Sequence, residues 1–156
     1  MGLRVVIPSL LVLVTVACGL PKKARLPVVG AKQNTKFSIQ VVVSDAANQN
    51  SPIPVDFVMI EDKKLLQDVA KISAKDWFDR RLQVQRDFAA KVQVLSWEWV
   101  PGEHGGPISV DTAKGTRGAF IFANYTNAGE HRAAVDMSSP VIINLGPDDF
   151  SVQRLR

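Results

Sequence analysis

The sequence predicts a mainly β protein, a two-sheet β-sandwich carrying a short helical insertion near residues 62–88. Three observations point there. From Lys36 onward, short apolar segments alternate with polar positions at period two, the mark of half-buried strands. Gly, Pro, Asn and Asp clusters separate them at close intervals, as sandwiches require. One stretch alone changes to helical spacing.

Taken in order, KFSIQVVV (36–43) puts Phe37, Ile39, Val41 and Val43 on one face. The loop SDAANQNSPI follows, with little apolar content. PVDFVMI (54–60) is a second strand, with Val55, Phe57 and Met59 alternating against Asp56 and Val58. DKKLLQDVAKI then sets Leu65, Leu66, Val69 and Ile72 at helical spacing. In SAKDWFDRRLQVQRDF, Ser73 and Asp76 have capping-box spacing, which satisfies N–H groups left open at a helix start. Trp77, Phe78, Leu82 and Val84 supply the apolar contacts, and the Arg80–Arg81 pair is assigned to the solvated face. KVQVLSWEWV returns to strand, with a change of face or a bulge near Leu95. PGEHGGP is a turn by composition, and ISVDT, GAFIFANYT, HRAAVDM and VIINLG complete the strands. There is no internal repeat and no low-complexity tract.

The N-terminus is a separate matter. Residues 1–17 combine a short positive start at Arg4 with an apolar run ending in small residues, the pattern of a secretory signal peptide. Pro8 and Ser9 interrupt the run and Pro21-Lys22-Lys23 ends it, which disfavours a permanent membrane span. TVAC (15–18) resembles a bacterial lipobox, in which the Cys is lipidated and becomes the first mature residue; Thr15 departs from the usual Leu. Cys18 is the only cysteine in the chain, and a thioether there removes the liability of an unpaired thiol in an exported protein. Gly19 follows instead of the Asp that favours inner-membrane retention in such lipoproteins, which implies the periplasmic face of the outer membrane of a Gram-negative cell. Stable anchoring requires more than one acyl chain, each buried CH₂ contributing about 0.8 kcal/mol. Residues 18–35 read as the lipidated Cys and a flexible tether, with Pro21, Pro27 and Gly30 and no apolar periodicity. Lys22, Lys23 and Arg25 are placed to meet anionic headgroups. Residues 36–156 form the folded domain, a size that buries a core without disulfides.

Charge and motifs exclude several functions. The 19 Lys and Arg against 15 Asp and Glu are dispersed and not interleaved with aromatics, so nucleic acid is not expected as a partner. The two histidines, His104 and His131, are read as surface residues; without a ligand spacing they predict no metal. Neither Glu103–His104 nor the Asp148–Asp149 pair in GPDDF has the surroundings of an acid/base or calcium site. Trp97 and Trp99 share a face, and at least one is assigned to the core rather than to a ligand platform. No catalytic residues, cofactor or small-molecule substrate are expected, and the chain is not read as an enzyme.

The order SPIPVDFVMIED, LLQDVAKISAKDWF, VPGE and GAFIFANYTNAGEHRAAVD resembles the TssJ (SciN) outer-membrane lipoproteins of type VI secretion systems. It departs from them at VPGEHGG, where the family turn is of LPGES type, and at IFANYTN, where an AAFRD-like strand is usual. The resemblance implies a transthyretin-like sandwich with an added helical segment. It also implies a structural role, anchoring a secretion membrane complex by binding the periplasmic domain of a TssM-like inner-membrane protein. The partner-binding loop maps to Ser44, Asp45, Asn48, Gln49, Asn50, Ser51 and Pro52, read from composition as solvent-exposed. The alternative is a pilotin-like or other periplasmic sandwich lipoprotein that binds and escorts an envelope protein, which would use an added strand or an apolar groove.

Overall fold

A computed structural model describes residues 35–155. The expected signal peptide, Cys18 and almost all of the tether lie outside the described residues.

Eight strands and two helices follow in the order β1 (Thr35–Val43), β2 (Ile53–Ile60), α1 (Lys63–Val69), α2 (Ala74–Asp87), β3 (Val92–Trp99), β4 (His104–Thr112), β5 (Gly118–Ala123), β6 (Arg132–Val135), β7 (Val141–Leu145) and β8 (Phe150–Arg154). They form two four-stranded sheets, ordered β4-β1-β7-β8 and β3-β2-β5-β6, the transthyretin-like sandwich that was expected. All pairings are antiparallel except β1 with β7. Phe37, Ile39, Val41 and Val43 of β1 meet Val55, Phe57 and Met59 of β2 in the core between the sheets, with Ile121, Ile143 and Leu145.

The alternation read in β2 is only half of its environment. Asp56, Val58 and Ile60 on the other face are buried too, because the helical insertion covers them. α1 and α2 bring Leu65, Val69 and Trp77 against Val58, Ile60, Phe120 and Phe122, a second core outside the sandwich. The Ser73 hydroxyl caps α2 by accepting the Asp76 N–H at 3.1 Å, as its spacing predicts. Asp62 does the same for α1 at Leu65.

Arg81 corrects the reading of its pair as solvated. Its Nη1 donates to both carboxylate oxygens of Asp56, at 3.0 and 3.1 Å, and its guanidinium lies 4.7 Å from the Phe78 ring. Trp77 Nε1 donates to the same carboxylate at 2.8 Å. A buried charge must be compensated, and here α2 supplies both donors from one face. Leu82, expected to pack, is instead 63% exposed.

β3 pairs with β2 without interruption, so no bulge sits at Leu95. The face change is real and has a simple cause: Val92 and Val94 pack under the helices, while Leu95, Trp97 and Trp99 pack into the sandwich. The register shift falls elsewhere, between Ile39 and Val41 of β1 opposite β4. β4 begins at His104, four residues earlier than the composition of PGEHGGP allows for, and its glycines are needed there. A Cβ on Gly105 would fall 2.0 Å from the Trp99 ring, and Gly106 has φ +120°. β8, which the sequence reading leaves unassigned, pairs with β7 and completes the first sheet.

Candidate functional site: the loop end of the sandwich

The topology gathers four connections at one end: β1–β2, β3–β4, β5–β6 and β7–β8. The α1–α2 junction joins them, since Ala74 N–H donates to the carbonyl of Glu130 in the β5–β6 loop at 2.8 Å. The chain enters the domain at Thr35, opposite Thr112, at the other end of β1.

The β1–β2 connection is not the freely solvated loop that its composition suggests. Over Ala47–Asn50 the backbone turns left-handed at three successive non-glycine residues, Asn48 (φ 47°), Gln49 (φ 55°) and Asn50 (φ 61°). L-residues rarely hold that conformation, and its strain persists only where the surroundings enforce it. Asn48 is the enforcing side chain, buried at 1% exposure. Its Oδ1 accepts the Thr126 N–H at 2.7 Å and the Thr126 hydroxyl at 3.0 Å, and its Nδ2 donates to the Pro52 carbonyl at 3.0 Å. The neighbouring backbone is tied as well: Ser44 N–H donates to Leu145 O, and Gly102 N–H donates to Ser44 O. Of the predicted loop residues, Asp45, Gln49, Asn50 and Pro52 are exposed, Ser44 and Ser51 are half-buried, and Asn48 faces inward.

The surface also has a component that the polar loop sequence does not announce. Trp99 pairs with Ile53, so Pro52 and Val100 continue side by side past the strand ends, and Val100 is 48% exposed. Asp45 lies over Gly102, where a Cβ would stand 2.8 Å from its Oδ1. The exposed face of this end therefore mixes the Pro52–Val100 apolar strip with a carboxylate and two amide side chains.

His131, expected at the surface, is buried at 7% exposure. Its ring stacks on Tyr125 at 4.9 Å, with Nδ1 3.0 Å from Asp149 Oδ1 and Nε2 3.2 Å from the Asn127 carbonyl. Tyr125 donates to the Gly146 carbonyl at 3.1 Å. Burial pushes the Tyr125 phenol well above its ordinary value, and the Asp149 carboxylate adds to the rise. GPDDF forms the β7–β8 turn, and Asp149 uses it to reach His131. No spacing in the sequence announces that contact, which spans two loops.

A cleft of about 540 Å³ opens between the first turns of α2 and the β5–β6 loop, bordered by Lys75, Phe78, Asp79, Asn124, Asn127 and His131. His104 is exposed on the β3–β4 side and does not join His131. Trp99 is buried and Trp97 packs partly buried against the same core. Among the described residues, no group of three or more His, Cys, Asp or Glu side chains is placed to hold a metal ion. Among them, no helix is long and apolar enough to cross a membrane.

No protein-family model and no curated protein sequence matches the chain. Solved structures do. The type VI secretion lipoprotein TssJ1 from Pseudomonas aeruginosa aligns with a TM-score of 0.64 at 18% identity, over 80% of this chain and 98% of that one. Lip from Serratia marcescens, a membrane-bound component of the type VI secretion system, gives 0.60 at 13% identity, over 78% of this chain and 98% of its own. A chain in the structure of the TssM C-terminal domain from EAEC gives 0.52 at 11% identity, over 77% of this chain and 98% of that one. Over most of its length, the described chain has the fold of the TssJ and Lip lipoproteins of type VI secretion.

Proposed function

We propose that the protein is a lipid-anchored structural lipoprotein of a type VI secretion membrane complex. In this reading Cys18 carries the acyl chains on the periplasmic face of the outer membrane, and the loop end binds the periplasmic domain of a TssM-like inner-membrane protein. It is a scaffold and not an enzyme. The observation that carries the proposal is the strained β1–β2 turn locked by buried Asn48. A fold spends free energy on three left-handed residues where a fixed shape is useful, and a preordered loop loses less entropy when a partner docks. The similarity of fold to type VI lipoproteins supports the same reading. The escort alternative calls for an apolar groove; the cleft beside α2 has a mixed lining, with Phe78 and Tyr125 among Lys75, Asp79, Asn124 and Asn127.

The test is co-purification from detergent-solubilised envelopes through a C-terminal tag. The wild type should bring down an inner-membrane secretion component. Replacing Asp45, Gln49 and Asn50 by Ala should lose it while leaving the melting temperature close to wild type. If the triple variant captures the component as well as the wild type does, the loop is not the binding surface. For the anchor, palmitate label should be lost in Cys18→Ser; label retained there refutes attachment at that residue.

A further inference from the structure

We infer that His131 is a protonation-dependent latch that fastens the β5–β6 loop to the β7–β8 turn. Both ring nitrogens face acceptors. The Asn127 carbonyl oxygen beside Nε2 can only accept, and Asp149 Oδ1 beside Nδ1 already accepts the Phe150 N–H at 2.8 Å. A neutral imidazole has one N–H and one lone pair, so it satisfies one of these contacts and leaves the other as two facing acceptors. The imidazolium satisfies both.

The surroundings hold the ring in place. Tyr125 stacks against one face. On the other side Gly129 comes so near that a Cβ there would stand 2.6 Å from Nε2, so the ring has a single seat. The His131 backbone itself is left-handed, with φ +41°, a strain that the side-chain bonds help to hold. The charged groups around it come from three elements. The β7–β8 turn brings Asp149 and Asp148, and Glu130 is paired with Arg132 at 3.4 Å on the strand side. α2 contributes Lys75 and Asp79 across the cleft.

Imidazole is the side chain that changes charge between about pH 5 and 8; the latch is closed when the ring is charged and half-released when it is neutral. Thr126 of the same loop is the anchor of Asn48, so release also loosens the β1–β2 turn. An effect on partner binding rests on the function proposed above; the latch itself does not.

The chain has two histidines, so ¹⁵N-histidine labelling of the full-length protein in detergent micelles resolves His131 once His104→Gln has removed the other signal. We expect both His131 ring nitrogens to carry protons at pH 5 and one to lose its proton by pH 8. Amide-exchange protection of Thr126–Gly129 should fall about tenfold over that interval beyond the intrinsic base-catalysed rise, the scale of one lost charged hydrogen bond. In His131→Gln the same amides should show the lower protection at every pH. A single neutral tautomer throughout, or loop protection that does not change with ring charge, overturns the latch. Should the Gln variant not fold, the wild-type ring and exchange titrations decide alone.

Discussion

Asn48→Ala removes the acceptor of a part-buried backbone N–H and one clamp on a strained turn. The Thr126 N–H loses its partner, which costs about 0.5–1.5 kcal/mol, and the released turn adds to that. Urea denaturation should show this loss; an effect below about 0.5 kcal/mol would mean that the side chain is not the clamp. Gln49→Gly should act oppositely, stabilising by about 1 kcal/mol, since an exposed left-handed Gln gains nothing from its Cβ. Tyr125 gives a pH test with a definite sign. Its folded-state pKa is raised, chiefly by burial, so the folded protein keeps a proton that the unfolded chain releases from about pH 10 upward. Stability is therefore complete below that pH and declines above it. Tyr125 is the only tyrosine in the chain, so phenolate absorbance reports its ionisation directly. The melting temperature of Tyr125→Phe should decline less steeply than that of the wild type above pH 10. Parallel curves would show that ionisation of Tyr125 contributes nothing to alkaline unfolding.

At the scale of elements, the helical insertion is held to the sheet by apolar packing and by one polar point. Asp56 on β2 is fully buried and receives both Trp77 and Arg81 from α2. Asp56→Ala leaves a half-buried guanidinium and an indole N–H without their acceptor, and breaking a buried pair from one side costs about 3–5 kcal/mol. Chemical denaturation is expected to show that loss, with exchange protection falling first in α2. An Asp56→Leu, Arg81→Met double variant should recover only the ion-pair part of it, because matched apolar groups need no compensation while the buried Trp77 N–H still lacks an acceptor. These elements also show what the sequence could disclose. Strands β1, β2 and β5 and both helices were legible because their periodicity is local, and Ser73 announced the start of α2. The Asp56–Arg81 pair was not, because it joins positions 25 residues apart and nothing in VDFV separates a solvent-facing Asp from one roofed by a helix. Asn48 failed for a related reason. Polar composition marks a connection, but its burial depends on Thr126, a residue 78 positions away. β4 began early because glycines read as turn residues instead served the close approach of Trp99.

For the whole molecule, the direction of β1 decides how the proposed anchor and the proposed binding surface are disposed. The described domain starts at Thr35, and the strand ends at Val43, where the loop end begins. Nine strand residues cover roughly 30 Å at about 3.3 Å each. The entry point and the β1–β2 turn are therefore at opposite ends of the sandwich. The β4–β5 turn with Lys114 lies at the entry end, next to the Thr35–Thr112 pair. If Cys18 carries the proposed acyl chains, the strand direction leaves the loop end as the end farther from the point where β1 begins, and free to face a partner. Single-cysteine variants test this, since Cys18 is the only native cysteine and is consumed by lipidation in the proposed mature protein. Fluorophores at Lys114→Cys and Gln49→Cys, in the lipidated protein on liposomes containing quencher lipids, should differ several-fold, with Lys114 quenched more. Equal quenching would mean that the domain tumbles freely on its tether, and stronger quenching at Gln49 would place the loop end against the bilayer, where it could not reach across the periplasm.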